Sequence, residues 1–188
     1  MPRKSDPYRA YRTYRTYCTY GTCHLARIAA RAAPSVVASS LAGLAAIAWL
    51  PSAKADCIDD AAMRHQVNPF VLRAIGWQES RLQSAALGHN RDGSVDLGAF
   101  QINSVHLADL ARYGIDARSL SDGCVSAYVA AWHYRHQVDV YGNTWTAVGA
   151  YHSRTPVHNL RYANQIAAIL KRWKVLGNDA AAPSPHAP

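Results

Sequence analysis

The chain has 188 residues, 49% of them apolar, and a mean hydropathy of -0.18, which suits one globular domain and excludes a wholly disordered polymer. Its 20 Lys and Arg against 12 Asp and Glu give a formal charge of +8, the balance of a nucleic-acid or anionic-lipid binder. That class is excluded by where the charge sits: residues 1–55 hold eight basic groups and one acid, leaving 12 basic and 11 acidic groups, a net of +1, for residues 56–188.

The first segment, Tyr8-Arg9-Ala10-Tyr11-Arg12-Thr13-Tyr14-Arg15, repeats with period three and matches neither a helix nor a strand face. Stacking tyrosines and phosphate-seeking arginines would suit an RNA-binding arm, but an extended leader or a misplaced start codon is preferred, because a targeting signal follows. The apolar run Val36–Leu50 is followed by Pro51 and by Ala53-Lys54-Ala55, a small-x-small cleavage site. A run of 15 residues fits a signal-peptide core and is short for a bilayer span of roughly 20. Residues 1–55 are therefore expected to be an N-terminal extension with a cleavable signal peptide, the only membrane-directed part. The remainder would be periplasmic or secreted, with retention as an anchor the alternative. Cys57 and Cys124, the only cysteines after the signal, are expected to bridge in that oxidising compartment; two buried thiols are the alternative.

In chain order, Cys57–Gln66 reads as a first helix with Asp59 and Asp60 in its opening turn. Asn68-Pro69 starts a second, through Ser80, with Asn as cap and Pro at the first helical position. Gly88–Gly98 is polar with an Asp-Gly turn signal, a loop or short irregular β-hairpin. Ser104–Arg112 reads as a short helix ended by Gly114, and Ser121 or Asp122 to Val138 as a long central one. Trp145–Tyr151 is a further short helix. Pro156 opens the last, with Tyr162, Ile166, Ile169, Leu170 and Trp173 on its apolar stripe. The domain is expected over residues 56–177 and an Ala/Pro-rich disordered tail over 178–188. No nucleotide-binding glycine motif or Cys/His zinc spacing occurs, so no cofactor or metal is expected. His133 and His136 stand three apart on a helix, but lack further ligands at matching spacing and are read as partly buried.

Glu79 is the single glutamate; the other 11 acids are Asp. It lies four residues beyond Ile75, on the stripe made by Val71, Leu72 and Ile75. A carboxylate entering a core near a helix C-terminus has a raised pKa, from low dielectric and from the negative end of the helix dipole. The alternative is a helix-end residue paired with Arg73 or Arg81.

Three segments follow in order: Glu79-Ser80, then Asp96-Leu97-Gly98-Ala99-Phe100-Gln101-Ile102-Asn103, then Gly149-Ala150-Tyr151-His152-Ser153. This order resembles the lytic transglycosylase family with the goose-lysozyme-like fold, over Cys57 to Trp173. The loop from His89 to Asp96 is similar to that of small specialised members that accompany pili and secretion systems. The resemblance implies a mainly α, lysozyme-like domain acting on peptidoglycan glycan strands. It implies that Glu79 protonates the bond between N-acetylmuramic acid and N-acetylglucosamine, then acts as base while a 1,6-anhydro ring closes. Ser80 and Gln101 would orient Glu79 or hold sugar substituents, and Tyr151 would place its hydroxyl near them. Helix capping, a turn hydrogen bond and core packing are their respective alternatives. Phe100 stands for the usual Met as an apolar wall of the pocket. His152 stands for the commoner Asn, with a charge varying near pH 6.5. Asp96 is either a second carboxylate, which would permit ordinary muramidase hydrolysis, or a loop anchor accepting backbone N–H bonds; the anchor is preferred. A secretion, conjugation or pilus apparatus is the implied partner, and a non-catalytic peptidoglycan-binding module is the reading from another class.

Overall fold

The computed structural model describes residues 56–177 and Pro183. The leader and signal expected over residues 1–55 and the tail expected over 178–188, Pro183 apart, lie outside the described residues. Among those described, six α-helices surround one small antiparallel sheet, and no helix is long and apolar enough to cross a membrane.

Helix α1 spans Cys57–His65. The Asp56 carboxylate caps it by accepting from the Ile58 amide, and Gln66 ends it in the left-handed conformation. Helix α2 is Pro69–Ser80, with Asn68 accepting from the amides of Phe70 and Val71. Both starts are where the side-chain chemistry puts them, because a short oxygen-bearing side chain satisfies amides that no helical carbonyl can reach. The polar segment forms β1 (Leu87–His89), β2 (Val95–Leu97) and β3 (Ile102–Asn103), in that spatial order, with Gly88 opposite Asp96 and Leu97 opposite Ile102. The third strand is an addition to the expected hairpin.

The expected helix over Ser104–Arg112 is instead three short pieces: a 3-10 turn at Ser104–His106, α3 at Leu107–Leu110 and a second 3-10 turn at Ala111–Tyr113. Only Leu110 in this stretch is buried, so no continuous apolar face holds a regular helix together. Helix α4, Gly123–Tyr141, is capped by Asp122 and runs three residues past its expected end. Its buried Val125, Ala127, Val129, Ala130, Ala131 and Tyr134 make it the centre of the core, with α1 and α5 packed on it. Helices α5 (Trp145–His152) and α6 (Pro156–Arg172) form a tight pair. Gly149 permits it: a Cβ there would lie 2.2 Å from Asn159 Oδ1 and 2.4 Å from the Asn159 carbonyl oxygen. Helix α6 also packs on α2, burying Tyr162, Ile166, Ile169 and Leu170, while Trp173 meets Trp77 edge to face. Cys57 and Cys124 are bonded as a disulfide, Cα to Cα 5.2 Å, tying the start of α1 to the first turn of α4.

Candidate active site

Glu79 is the penultimate residue of α2 and sits where α2, α6, the end of α5 and the sheet converge. Burial pushes its carboxyl up to about 7; a hydrogen bond from Tyr162 opposes the rise and the negative charge of Asp96 adds to it. The Tyr162 hydroxyl donates to Glu79 Oε1 at 2.6 Å. Burial also raises the Tyr162 phenol well above its ordinary pKa, so it remains a donor. The arginines considered as partners for Glu79 are engaged elsewhere. Arg73 pairs with Asp56 and Asp59, and Arg81 stacks over the Trp77 ring while donating to the Trp77 carbonyl.

A cleft of about 700 Å³ opens from Glu79 along the sheet and the inner face of α4, bounded by Asp96, Gln101, Trp132, Tyr151 and His152 among others. Asp96 enters it from β2. Its Oδ1 accepts from Asn103 Nδ2 at 2.8 Å and its Oδ2 from Asn90 Nδ2 at 2.9 Å. The anchoring is therefore real but made by side-chain amides, not the backbone N–H groups expected, because the strand amides are committed to the ladder. The same network ties Asn90 and Asn103 to Ser94 Oγ, so the hairpin holds its carboxylate rigidly.

Other residues depart from expectation. Phe100, expected as a pocket wall, is 1% exposed; its ring lies where a Cβ on Gly76 would be 2.8 Å away, which places it in the core and not in the cleft. Ser80 is not among the residues that bound the cleft, and its hydroxyl is bonded away from the Glu79 carboxyl. Its Oγ donates to the Ala99 carbonyl at 2.8 Å and accepts from the Gln83 amide, pinning the end of α2 to the turn before Gln101. Tyr151 bounds the cleft, but its hydroxyl donates to the Phe100 carbonyl at 3.0 Å and is not offered to Glu79. Gln101 bounds the cleft with φ of 49°, and its Nε2 donates to the Gly98 carbonyl, the turn hydrogen bond named as its alternative role. The His152 ring lies parallel to that of Tyr162, centroids 4.9 Å apart. Its pKa falls below the ordinary histidine value through burial and the nearby charge of His158, partly offset by Asp96. His133 is held near 4 by burial and by the charge of His106, so its neutral ring donates Nε2–H to the Tyr151 carbonyl at 3.3 Å. His136 is exposed. Among the described residues no group of three or more His, Cys, Asp or Glu could hold a metal ion.

Tyr162 is the residue that sequence reasoning missed as a partner for Glu79. It reads as one more apolar position on the stripe of α6, and the only local hint is that it alone among the buried large residues of that stripe carries a hydroxyl. The arrangement pairs one carboxyl poised near neutrality with a second, fixed carboxylate in the same cleft. It suits protonation of a leaving oxygen followed by proton removal from an attacking one.

The chain matches the family model described as Transglycosylase SLT domain over residues 56–170. It is 42% identical over 136 residues to "Invasion protein IagB" of Salmonella typhimurium, covering 68% of this chain and 85% of that protein. It is 36% identical over 121 residues to "X polypeptide" of Escherichia coli, with coverages of 61% and 72%. To "Protein IpgF" of Shigella flexneri it is 36% identical over 118 residues, with coverages of 60% and 78%.

Proposed function

The chain belongs to the transglycosylase SLT-domain family and is a peptidoglycan lytic transglycosylase, and on that premise we propose that Glu79 alone serves as acid and then base. The observation that carries this reading is the half-buried Glu79 carboxyl, raised to about 7 and held by Tyr162. Because the Tyr162 hydroxyl donates to Oε1, Oε2 carries the transferable proton. That proton passes to the β-1,4 glycosidic oxygen between N-acetylmuramic acid and N-acetylglucosamine, and the bond from muramyl C1 to that oxygen breaks. Asp96, fixed by Asn90 and Asn103, stabilises the positive charge left on the muramyl ring. The Glu79 carboxylate then removes the proton of the muramyl 6-hydroxyl as its oxygen bonds to C1, closing the 1,6-anhydro ring without consuming water.

Gln101 and His152, at the edge of the cleft, position the sugars; Ser80 and Tyr151 hold the turn that carries Gln101. A second reading is favoured by one observation. Asp96 is a fixed carboxylate in the same cleft, the partner that a hydrolytic muramidase uses for water attack. Mass spectrometry of fragments released from purified sacculi separates the two: 1,6-anhydro ends are one water lighter than reducing ends. Anhydro ends from both the wild type and Asp96→Asn support the proposal, whereas reducing ends from the wild type overturn it. Release of fragments by Glu79→Gln at the wild-type rate would refute both enzymatic readings.

The working unit of this proposal is residues 56–177, exported to the periplasm or beyond after cleavage following Ala55. The family match over 56–170 and the disulfide support it, since peptidoglycan lies outside the cytoplasmic membrane and disulfides persist in oxidising compartments. Asp56 as the N-terminal residue of the exported protein is the expected result of Edman sequencing. The relative named as an invasion protein supports a task of local wall opening for a secretion, conjugation or pilus apparatus.

A further inference from the structure

Glu79 and His152 bound two hollows, not one. Beside the cleft that contains Asp96 lies a recess of about 260 Å³, completed by Gln78, His158, Arg161, Tyr162 and Gln165. It continues the cleft past the Glu79 carboxyl. Four of its residues, at 158, 161, 162 and 165, have the spacing that puts side chains on one face of α6. The direction of that face is given by Tyr162, which reaches Glu79.

The chemistry of the recess differs from that of the cleft. Glu79 is its only acid, and His152, His158 and Arg161 are its possible cations, with two glutamine amides beside them. Arg161 is exposed and forms no ion pair among the described residues, and it is the one arginine that bounds the recess. The first turn of α6 has no acidic residue, although the helix dipole favours one there, and the Thr155 side chain makes no capping bond. His158 stands in that turn and lowers the pKa of His152. A recess that holds an arginine with no ion pair among the described residues, opening directly off the reacting carboxyl, calls for an anionic part of the substrate.

We infer that this recess binds a carboxylate of peptidoglycan through Arg161, and so selects which glycan strands are cut. The inference rests on the reading of the cleft as a peptidoglycan site. Sugar hydroxyl and acetamido groups are neutral, so the anions available on the polymer are the carboxylates of the stem peptide, or the lactyl carboxylate of a muramic acid whose peptide has been removed. A guanidinium offers paired donors that match either one.

The test compares the full exported chain with its Arg161→Gln and Arg161→Lys variants on two substrates: glycan strands bearing stem peptides, and the same strands stripped by an amidase. kcat and KM are measured separately. Arg161→Gln is expected to raise KM about tenfold, the scale of one partly exposed charge-assisted hydrogen bond, with kcat within about twofold. Arg161→Lys should recover part of that loss. A rise confined to peptide-bearing strands assigns the stem-peptide carboxylate, one confined to stripped strands assigns the lactyl carboxylate, and a rise on both means that the recess accepts either. Unchanged KM on both, or a fall in kcat alone, overturns the inference. A wild-type protein inactive on both strands would bring down the functional reading itself, whereas an active wild type matched by Arg161→Gln would bring down only the role of the recess.

Discussion

Replacing Glu79 by Gln should make the protein more stable and almost inactive, with a pH signature that identifies the cause. In the folded state the Glu79 carboxyl is raised from 4.5 to about 7, chiefly by burial. Ionised Glu79 therefore opposes folding: the wild type has its full stability below about 4.5 and loses part of it as the pH rises through about 7. The shift corresponds to roughly 3 kcal/mol, as an order of magnitude, at about 1.4 kcal/mol per unit. Glutamine keeps the shape and can still accept from the Tyr162 hydroxyl, but it never ionises. Thermal unfolding should show Glu79→Gln close to the wild type at pH 4 and melting higher by several degrees, up to about 10 °C, at pH 8. Loss of the proton donor should lower the rate on sacculi at least about a hundredfold. Equal melting differences at the two pH values would refute the assignment of a destabilising buried carboxylate, even if activity were lost.

Tyr162→Phe removes a hydrogen bond that favours the carboxylate form, so the Glu79 pKa should rise further, by about one unit, moving the alkaline limb of kcat/KM to higher pH. A limb that stays in place would mean that the contact carries no weight in solution. The Cys57→Ser, Cys124→Ser double variant opens a link between residues 67 apart and should lose about 4 kcal/mol in urea unfolding. Reductant should destabilise the wild type similarly and leave the double variant unchanged. Gly149→Ala drives a methyl group into the backbone carbonyl of Asn159 and should cost about 2 kcal/mol or more, read by the same denaturation assay.

Legibility followed range. The start of α2 was visible in Asn68-Pro69 because a cap is a local device, and the structure shows the same device at Asp56 for α1 and Asp122 for α4. The 3-10 pieces between Ser104 and Tyr113 were not, because a helical-looking pattern cannot reveal that the fold leaves only Leu110 of that segment buried. At the site, residue type left Asp96 as a second carboxylate or a loop anchor, and which donors hold it depended on a third strand bringing Asn103 beside β2. Phe100 was misplaced for a related reason. An apolar residue next to Gln101 has two sides available, and the space above Gly76 took it into the core.

The sequence by itself determined that Glu79 enters a buried helix face, because helical spacing from Ile75 is a local property. That alone was enough to imply a carboxyl with a raised pKa. Tertiary structure decided what surrounds it. Tyr162 is 83 residues away and reaches Glu79 only because α6 packs on α2. The same packing turns Arg161 into a second recess beside the reacting carboxyl, while the approach of α5 to the turn after β2 commits the Tyr151 hydroxyl to the Phe100 carbonyl. Burial is set by a helix's own pattern of residues, but a partner is set by which two faces meet, and that is a property of the whole packed chain.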